Sequence, residues 1–131
     1  MTNVRVFVDA ENITFKQFKP SFTTIRSRFP EAKIIAFGNN DAVSSNYKND
    51  DRIEFINTVI GKNSADTIML TNILSCLYEE DAIKFFIIIS KDRDFTCAIK
   101  KITDKGKHVI LTHSEQHMKK SLADYKVNTE L

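Results

Sequence analysis

The sequence predicts one α/β domain over residues 1–131, with a central, mostly parallel five-stranded sheet and helices on both faces. Five short runs rich in β-branched and aromatic residues alternate with helix-like stretches. The run Phe85–Ile89 is apolar throughout, which is typical of a central strand buried on both sides. A length of 131 residues, with 42% hydrophobic and 27% charged side chains, fits one ordinary globular domain.

The elements follow one another as strand, helix, strand. The predicted strands are Val4–Val8, Ile34–Phe37, Ile53–Ile56, Phe85–Ile89 and Val109–Leu111. The predicted helices are Phe18–Phe29, Ala42–Asp50, Ser64–Tyr78, Asp94–Asp104 and Glu115–Tyr125. The first helix is expected to begin afresh at Pro20, and the second is weak. Strands that alternate with helices imply right-handed crossovers and a parallel sheet with three layers.

Composition narrows the class of protein. A net charge of +2, from 19 basic and 17 acidic residues, is too mild to indicate a nucleic-acid partner by itself. No segment approaches the roughly 20 apolar residues of a membrane span, and the start lacks the pattern of a secretory signal. We therefore expect a cytoplasmic protein without a membrane partner, in which Cys76 and Cys97 are reduced thiols.

Acidic side chains stand where predicted strands end. Asp9 directly follows the first strand, and Asp92 and Asp94 follow the fourth strand just after Ser90. Asp66 lies near the start of the longest helix. Sites in parallel α/β sheets lie beyond the carboxyl ends of the strands, so three distant segments would bring carboxylates to one edge.

Such a group of carboxylates has an evident chemical use. Carboxylates brought close together repel one another unless a cation neutralises them, and Mg²⁺ or Mn²⁺ prefers their oxygen ligands. A bound ion can activate a water for phosphodiester hydrolysis. Taken singly, Asp66 and Asp94 are better explained as carboxylates that stabilise a helix start. Asp9 has no evident folding role, and the group together predicts a metal-bound acidic site.

Three segments resemble a known family. "FVDAENI", "KNSADTIML" and "SKDRDF" followed by "KGKHVI" are similar, in order and across nearly the whole chain, to the NYN domain of the PIN-like nuclease superfamily. The resemblance implies a three-layer Rossmann-like PIN fold and Mg²⁺- or Mn²⁺-dependent, endonucleolytic cleavage of single-stranded or structured RNA. The catalytic and metal-binding positions it implies are Asp9, Asp66, Asp92 and Asp94, with Asn12 and Ser90 as supporting polar residues.

The chain departs from the family pattern at three positions. Lys91 and Arg93 flank the acids where many relatives carry small residues, so they either contact the scissile phosphate or are solvated side chains. Lys62, which precedes the Asp66 turn, is the first choice for a phosphate contact. The alternative is an ordinary surface lysine, which every soluble protein has in number. Asn72 replaces a second acid in the long helix. That loss of charge leaves open a catalytically weak or inactive RNA-binding or scaffold module.

Other features have more than one interpretation. Tyr47 in "GNNDAVSSNYKNDD" could stack on an unpaired base, or the stretch is an ordinary solvated connection. His113 and His117 have the spacing of zinc ligands but lack a recognisable third ligand, and helix capping or solvent exposure explains them better. A phosphoacceptor receiver domain is disfavoured because Asn57 and Thr112 stand where it needs Asp and Lys. A nicotinamide enzyme is disfavoured because no G-x-G-x-x-G follows a strand. The sequence leaves open whether two copies form a homodimer and whether DNA is also cut.

Overall fold

A single parallel sheet organises the computed structural model, which describes residues 3–58, 64–91, 95–112 and 127–128. Its strands are β1 (Val4–Asp9), β2 (Lys33–Gly38), β3 (Ile53–Asn57), β4 (Phe85–Ile89), β5 (His108–Thr112) and β6 (Val127–Asn128). Their order across the sheet is β3-β2-β1-β4-β5-β6. The five predicted strands are confirmed, each with ends within one residue of the expected position. The two-residue strand β6 pairs with β5 and extends the sheet further than predicted.

Helices connect the strands. They are α1 (Phe15–Arg28), α2 (Ser45–Asn49), α3 (Ser64–Glu79) and α4 (Thr96–Asp104). The expected helix over residues 115–125 lies outside the described part of the chain. No helix in that described part is long and apolar enough to cross a membrane.

The predicted start of the first helix was wrong, because a capping box overrides the proline. The Thr14 hydroxyl accepts a hydrogen bond from the Gln17 backbone N–H, and the Gln17 side chain accepts one from the Thr14 N–H. These two bonds satisfy donors that would otherwise be unpaired at the helix start. The helix therefore begins at Phe15, and Pro20 lies inside it.

Two apolar clusters bury the two faces of the sheet. On one face, β-strand side chains pack against α3 and α4, with Phe7, Phe86 and Ile88 fully buried at the centre. On the other face, side chains such as Val6 and Ile87 pack against α1 and α2. Successive residues of a strand point to opposite faces, so β1 and β4 must be apolar at nearly every position. The predicted α/β architecture with helices on both faces is confirmed.

The strand order reverses direction next to β1. The chain proceeds from β1 outward to β2 and β3, then crosses back so that β4 pairs with the other side of β1. Val8 pairs with Ile89 in this register, which places the next residues, Asp9 and Ser90, side by side. A reversal of this kind opens a crevice at the carboxyl ends of the two strands, where α/β proteins bind their ligands.

Candidate active site

Asp9 is the buried carboxylate at the strand reversal. It is the last residue of β1 and only 1% of its surface is exposed. In β1, residues Arg5, Phe7 and Asp9 alternate onto the same face, and Phe7 belongs to the cluster that packs against α3 and α4. The carboxylate therefore lies at the edge of the sheet on the α3 side. Burial of a carboxylate is unfavourable unless hydrogen bonds or a cation compensate it.

Two side chains donate hydrogen bonds to one oxygen of this carboxylate. Asn12 Nδ2 lies 2.9 Å from Asp9 Oδ2, and Ser90 Oγ lies 3.1 Å from the same oxygen. Ser90 is itself fully buried at the end of β4. The Asp9 carbonyl also accepts a hydrogen bond from the Ile13 N–H at 2.9 Å, which closes the turn that carries Asn12. The two donors fix the orientation of the carboxylate, and the predicted grouping of Asp9, Asn12 and Ser90 is present in the structure.

A glycine at the end of β2 allows a neighbouring loop to approach this turn. A Cβ at Gly38 would lie 2.3 Å from Val43 Cγ2 and 3.0 Å from Glu11 Cγ, so a larger residue would push these segments apart. Glu11 Oε1 also accepts a hydrogen bond from the Asn39 N–H at 2.6 Å. Our sequence reasoning missed both Gly38 and Glu11. A glycine directly after a buried strand was the available signal of close backbone approach.

The packing of α3 on β1 brings Asp66 to the level of Asp9. Arg5 Nη1, near the start of β1, lies 3.6 Å from Cys76 Sγ, near the end of α3. Asp9 is four residues beyond Arg5, about 13 Å along an extended strand. Asp66 is ten residues before Cys76, about 15 Å back along a helix. Because α3 runs opposite to β1, the two distances carry both carboxylates to the same edge of the sheet.

Asp66 also lies on the side of α3 that faces the sheet. Asp66, Met69, Ile73 and Cys76 follow the spacing of one helical stripe, and the last three are buried in the core. Asp66 itself is partly buried in the first turn of the helix. The helix N-terminus, with its partial positive charge, stabilises a carboxylate there.

The other predicted site residues have different surroundings. Asn72 is partly buried, as expected, and its Nδ2 donates to the Ile68 carbonyl at 3.3 Å, within its own helix. Lys91 is exposed and directly follows Ser90 at the sheet edge. Four predicted site residues lie outside the described part of the chain, as do both candidate zinc ligands: Lys62, Asp92, Arg93 and Asp94, and His113 and His117.

Tyr47 is not available to stack on a base. Its ring is fully buried against α1, with its centroid 5.1 Å from that of Phe15, and its hydroxyl donates to the Ile13 carbonyl at 2.8 Å. Burial, followed by the negative charge of Asp9, raises the pKa of Tyr47 well above its usual value. The base-stacking interpretation was wrong because a polar segment still contributed Val43 and Tyr47 to the core. Tyr47 instead supports the turn that carries Asn12.

Thr58 is a further polar residue at this edge that our sequence reasoning missed. It follows β3, is 1% exposed, and its backbone N–H donates to the Gly38 carbonyl at 2.9 Å. Its hydroxyl has no hydrogen-bond partner among the described residues. Alternation along β3 places Thr58 on the same face as Ile56, which packs against the α3 side. The face that carries Asp9 therefore holds, besides the Ser90 hydroxyl, a further buried oxygen two strands away.

The donor chemistry at this edge suits a hard divalent cation. Asp9 and Asp66 supply carboxylate oxygens, the ligand type that Mg²⁺ and Mn²⁺ prefer, and hydrogen bonds from Asn12 and Ser90 orient the first of them. Within residues 3–58, 64–91, 95–112 and 127–128, no three His, Cys, Asp or Glu side chains form a metal-binding cluster. Asp92 and Asp94, two of the predicted ligands, lie outside these ranges.

The fold of this chain resembles that of a solved structure. A crystal structure of a protein of unknown function from Vibrio parahaemolyticus superposes with a TM-score of 0.56 at 12% identity, over 95% of this chain and 90% of that one. A short-chain dehydrogenase/reductase from Veillonella parvula, in complex with NADP, superposes with a TM-score of 0.44 at 11% identity, over 86% of this chain and 48% of that one. No curated protein matches the sequence significantly.

The family assignment rests on a match that spans the whole described structure. The family model described as "NYN domain" matches residues 3–128, from the strand β1 that ends at Asp9 through to β6. That interval includes each of the three motif segments noted in the sequence. The chain therefore belongs to the NYN domain family of the PIN-like nuclease superfamily, which indicates a nuclease fold.

Proposed function

We propose that this protein is a metal-dependent ribonuclease that hydrolyses RNA phosphodiester bonds, with internal cleavage as its mode. The single observation that carries the proposal is Asp9, a buried carboxylate held by two hydrogen bonds at the strand reversal of a nuclease fold. A folding role alone does not require a charge at that position, since a neutral side chain would be easier to bury.

The proposed ligands of Mg²⁺ or Mn²⁺ are Asp9, Asp66, Asp92 and Asp94. When bound, the ion supplies positive charge to the scissile phosphate and lowers the pKa of a water molecule. Asn12 and Ser90 hold the Asp9 carboxylate in one orientation, which is the usual part of side chains that surround metal ligands. We assign them positioning roles.

Basic side chains are proposed to draw the RNA backbone to this acidic edge. Lys91 is exposed one residue beyond Ser90, and Lys62 and Arg93 are the other proposed phosphate contacts. A phosphate that approaches carboxylates needs nearby cations to reverse the local field. The proposal includes a cytoplasmic location and an RNA substrate that is single-stranded or structured.

Cleavage of labelled RNA by the purified protein tests the proposal. We expect cleavage in Mg²⁺ or Mn²⁺ that stops with EDTA, and a loss of at least about 100-fold in Asp9→Asn, equivalent to roughly 2.7 kcal/mol of transition-state stabilisation. Asp81→Asn is the matched control, because Asp81 is an exposed aspartate in the turn after α3, at the opposite edge of the sheet. Cleavage by Asp9→Asn at the wild-type rate would refute the assignment.

A second candidate is an RNA-binding or scaffold module of the same fold that cuts weakly or not at all. Asn72 supports it, because that position lacks the acid that relatives carry and its amide is bonded within α3. Restoring the acid with Asn72→Asp distinguishes the two functions. A module that has lost activity through this residue should gain metal-dependent cleavage, whereas an active ribonuclease should change little.

A further inference from the structure

A basic groove runs along the side of α1 that faces the turn before β3. It has a volume of about 410 Å³ and lies between α1 and the turn that leads into β3. Three of its side chains are cationic, Lys19, Arg26 and Arg52, and Asp50 is the acid that accompanies them. Phe15 and Phe22 supply aromatic surface. The proposed cleavage chemistry uses none of these residues.

Arg52 is held in a fixed position within the groove. Its Nε and Nη2 donate to the two Asp50 oxygens at 3.0 Å and 2.8 Å, so the carboxylate holds one edge of the guanidinium. Its Cζ lies 4.7 Å from the centroid of the Phe22 ring. The side chain is nevertheless 56% exposed, which leaves the side opposite the ring open to solvent. A planar guanidinium presented in this way is a stacking surface for a nucleobase.

Lys19 and Arg26 present two more charges along the same line. They are seven residues apart, two turns of α1, so they lie on one stripe about 10 Å apart along the helix axis. The positive charge of Arg26 also helps to hold the pKa of the Asp50 carboxyl below its usual value, after the larger effect of the Arg52 hydrogen bonds. With one carboxylate against three cations, the groove has an excess of positive charge.

The groove begins at the end of α1 that is nearest the candidate active site. Phe15, which borders the groove, is the first residue of α1 and follows Asn12 by three residues. Asn12 is the residue that donates to Asp9. Lys19 and Arg26 follow along the same helix, at increasing distance from Asp9.

We propose that this groove binds the sugar-phosphate backbone of single-stranded RNA that extends beyond the cleavage site, which rests on the proposed function. Lys19 and Arg26 contact successive phosphates, and Arg52 stacks on an unpaired base. Alternation of cations with a stacking surface is how proteins hold single strands without reading their sequence. The groove would thus set how long an RNA must be to bind well.

Fluorescence anisotropy with labelled oligouridylates tests this groove separately from cleavage, because EDTA in the buffer prevents metal-dependent hydrolysis. A strand of about 4 nucleotides is too short to fill both the candidate active site and the groove, whereas a strand of about 12 nucleotides reaches the groove. We expect the longer oligomer to bind the wild-type protein more tightly. The double variant Lys19→Gln with Arg26→Gln should lose that length advantage.

The salt dependence of the binding constant reports the number of phosphate contacts. Each contact to a single strand contributes about 0.7 to the slope of log K against log salt, so the double variant should lower the slope by about 1.4. Arg52→Lys keeps the charge and removes the planar stacking surface, so it should weaken binding of the longer oligomer with little change in slope. Lys100→Gln with Lys101→Gln, on the exposed surface of α4 across the sheet, is the charge-matched control for the double variant.

Each outcome separates this groove from the proposed cleavage. An unchanged length advantage in the double variant Lys19→Gln with Arg26→Gln overturns the groove, and so does an equal loss in the control Lys100→Gln with Lys101→Gln. A wild-type protein that fails to bind the longer oligomer also overturns it. The wild-type protein could also fail to cleave RNA while the groove variants still lose binding of the longer oligomer. That result would support the groove and refute the ribonuclease.

Discussion

Replacing Asp9 by asparagine separates the role of its charge from the role of its hydrogen bonds. Asparagine has the same shape, and its Oδ1 can accept the same bonds from Asn12 and Ser90, which lie 2.9 Å and 3.1 Å from the present carboxylate oxygen. Because the geometry is retained, we expect the variant to fold. Its stability without metal then reports the free energy of burying the charge.

The structure sets the magnitude of two opposing changes. A hydrogen bond to a charged group stabilises a protein by about 1 kcal/mol more than a neutral one, so two bonds contribute about 2 kcal/mol in favour of the wild type. Burial of a carboxylate in place of a neutral amide costs several kcal/mol even when the carboxylate is hydrogen-bonded, and Asp9 is only 1% exposed. We therefore expect Asp9→Asn to unfold at a higher temperature than the wild type in EDTA.

A divalent cation should reverse this difference, so that the wild type unfolds at a higher temperature than Asp9→Asn. An ion that binds only the folded state at about 100-fold above its Kd stabilises the protein by about 2.7 kcal/mol. For a chain of 131 residues this corresponds to a rise of about 10 °C in Tm. The rise should occur in the wild type and in Asp81→Asn, and should be absent in Asp9→Asn.

Thermal unfolding in EDTA and across a titration of MnCl₂ or MgCl₂, at matched ionic strength, measures both effects. An equal rise of Tm in wild type and Asp9→Asn would show that the ion binds elsewhere. A variant that is much less stable than the wild type in EDTA would show that the Asp9 charge is needed for folding, and the reasoning about an acid kept for metal binding would be refuted.

The remaining predictions concern the residues around the site and the groove. Tyr47→Phe should lower the free energy of unfolding by about 1–2 kcal/mol, because the Ile13 carbonyl loses its buried donor, with RNA affinity unchanged in binding assays; a larger loss of affinity than of stability would contradict the structural role. Burial raises the pKa of the Cys76 thiol to about 11, so a thiol-reactive disulfide reagent at neutral pH should modify only the other cysteine until urea unfolds the protein. Reaction of both thiols in the native protein would contradict this burial. The hydrogen bonds from Arg52 lower the pKa of Asp50, so their stabilisation is complete above the unfolded pKa of about 3.9 and disappears as pH falls through the folded value. The Tm difference between wild type and Arg52→Gln should therefore shrink in acid, and a difference that is constant with pH would exclude the linkage.

Most of the fold could be predicted from local patterns. Runs such as Phe85–Ile89 are apolar at every position, and only a strand covered on both faces gives each of those side chains an apolar neighbour. The start of α1 was the exception, since the Thr14 and Gln17 capping box outweighed the proline signal. That signal was present in the sequence but was not used.

The candidate site could be predicted only in part. The position of Asp9 after a buried strand indicated a functional carboxylate, and the resemblance to the NYN family supplied Asn12 and Ser90 as its neighbours. Their hydrogen bonds depend on the register of β1 against β4, which pairs residues 81 positions apart. Register is set by packing across the sheet, and local sequence carries little information about it.

The sequence by itself determined where five strands and the helices between them lie, to within a few residues, and which acids follow the strands. The tertiary structure decided what those positions mean: it buried Tyr47 in the core, joined Asp9 to Ser90, and brought Lys19, Arg26 and Arg52 into one groove. The physical reason is the distance along the chain over which each kind of interaction acts. Hydrophobic periodicity and capping act over a few residues, whereas burial and electrostatic surroundings depend on the neighbours that long-range packing supplies.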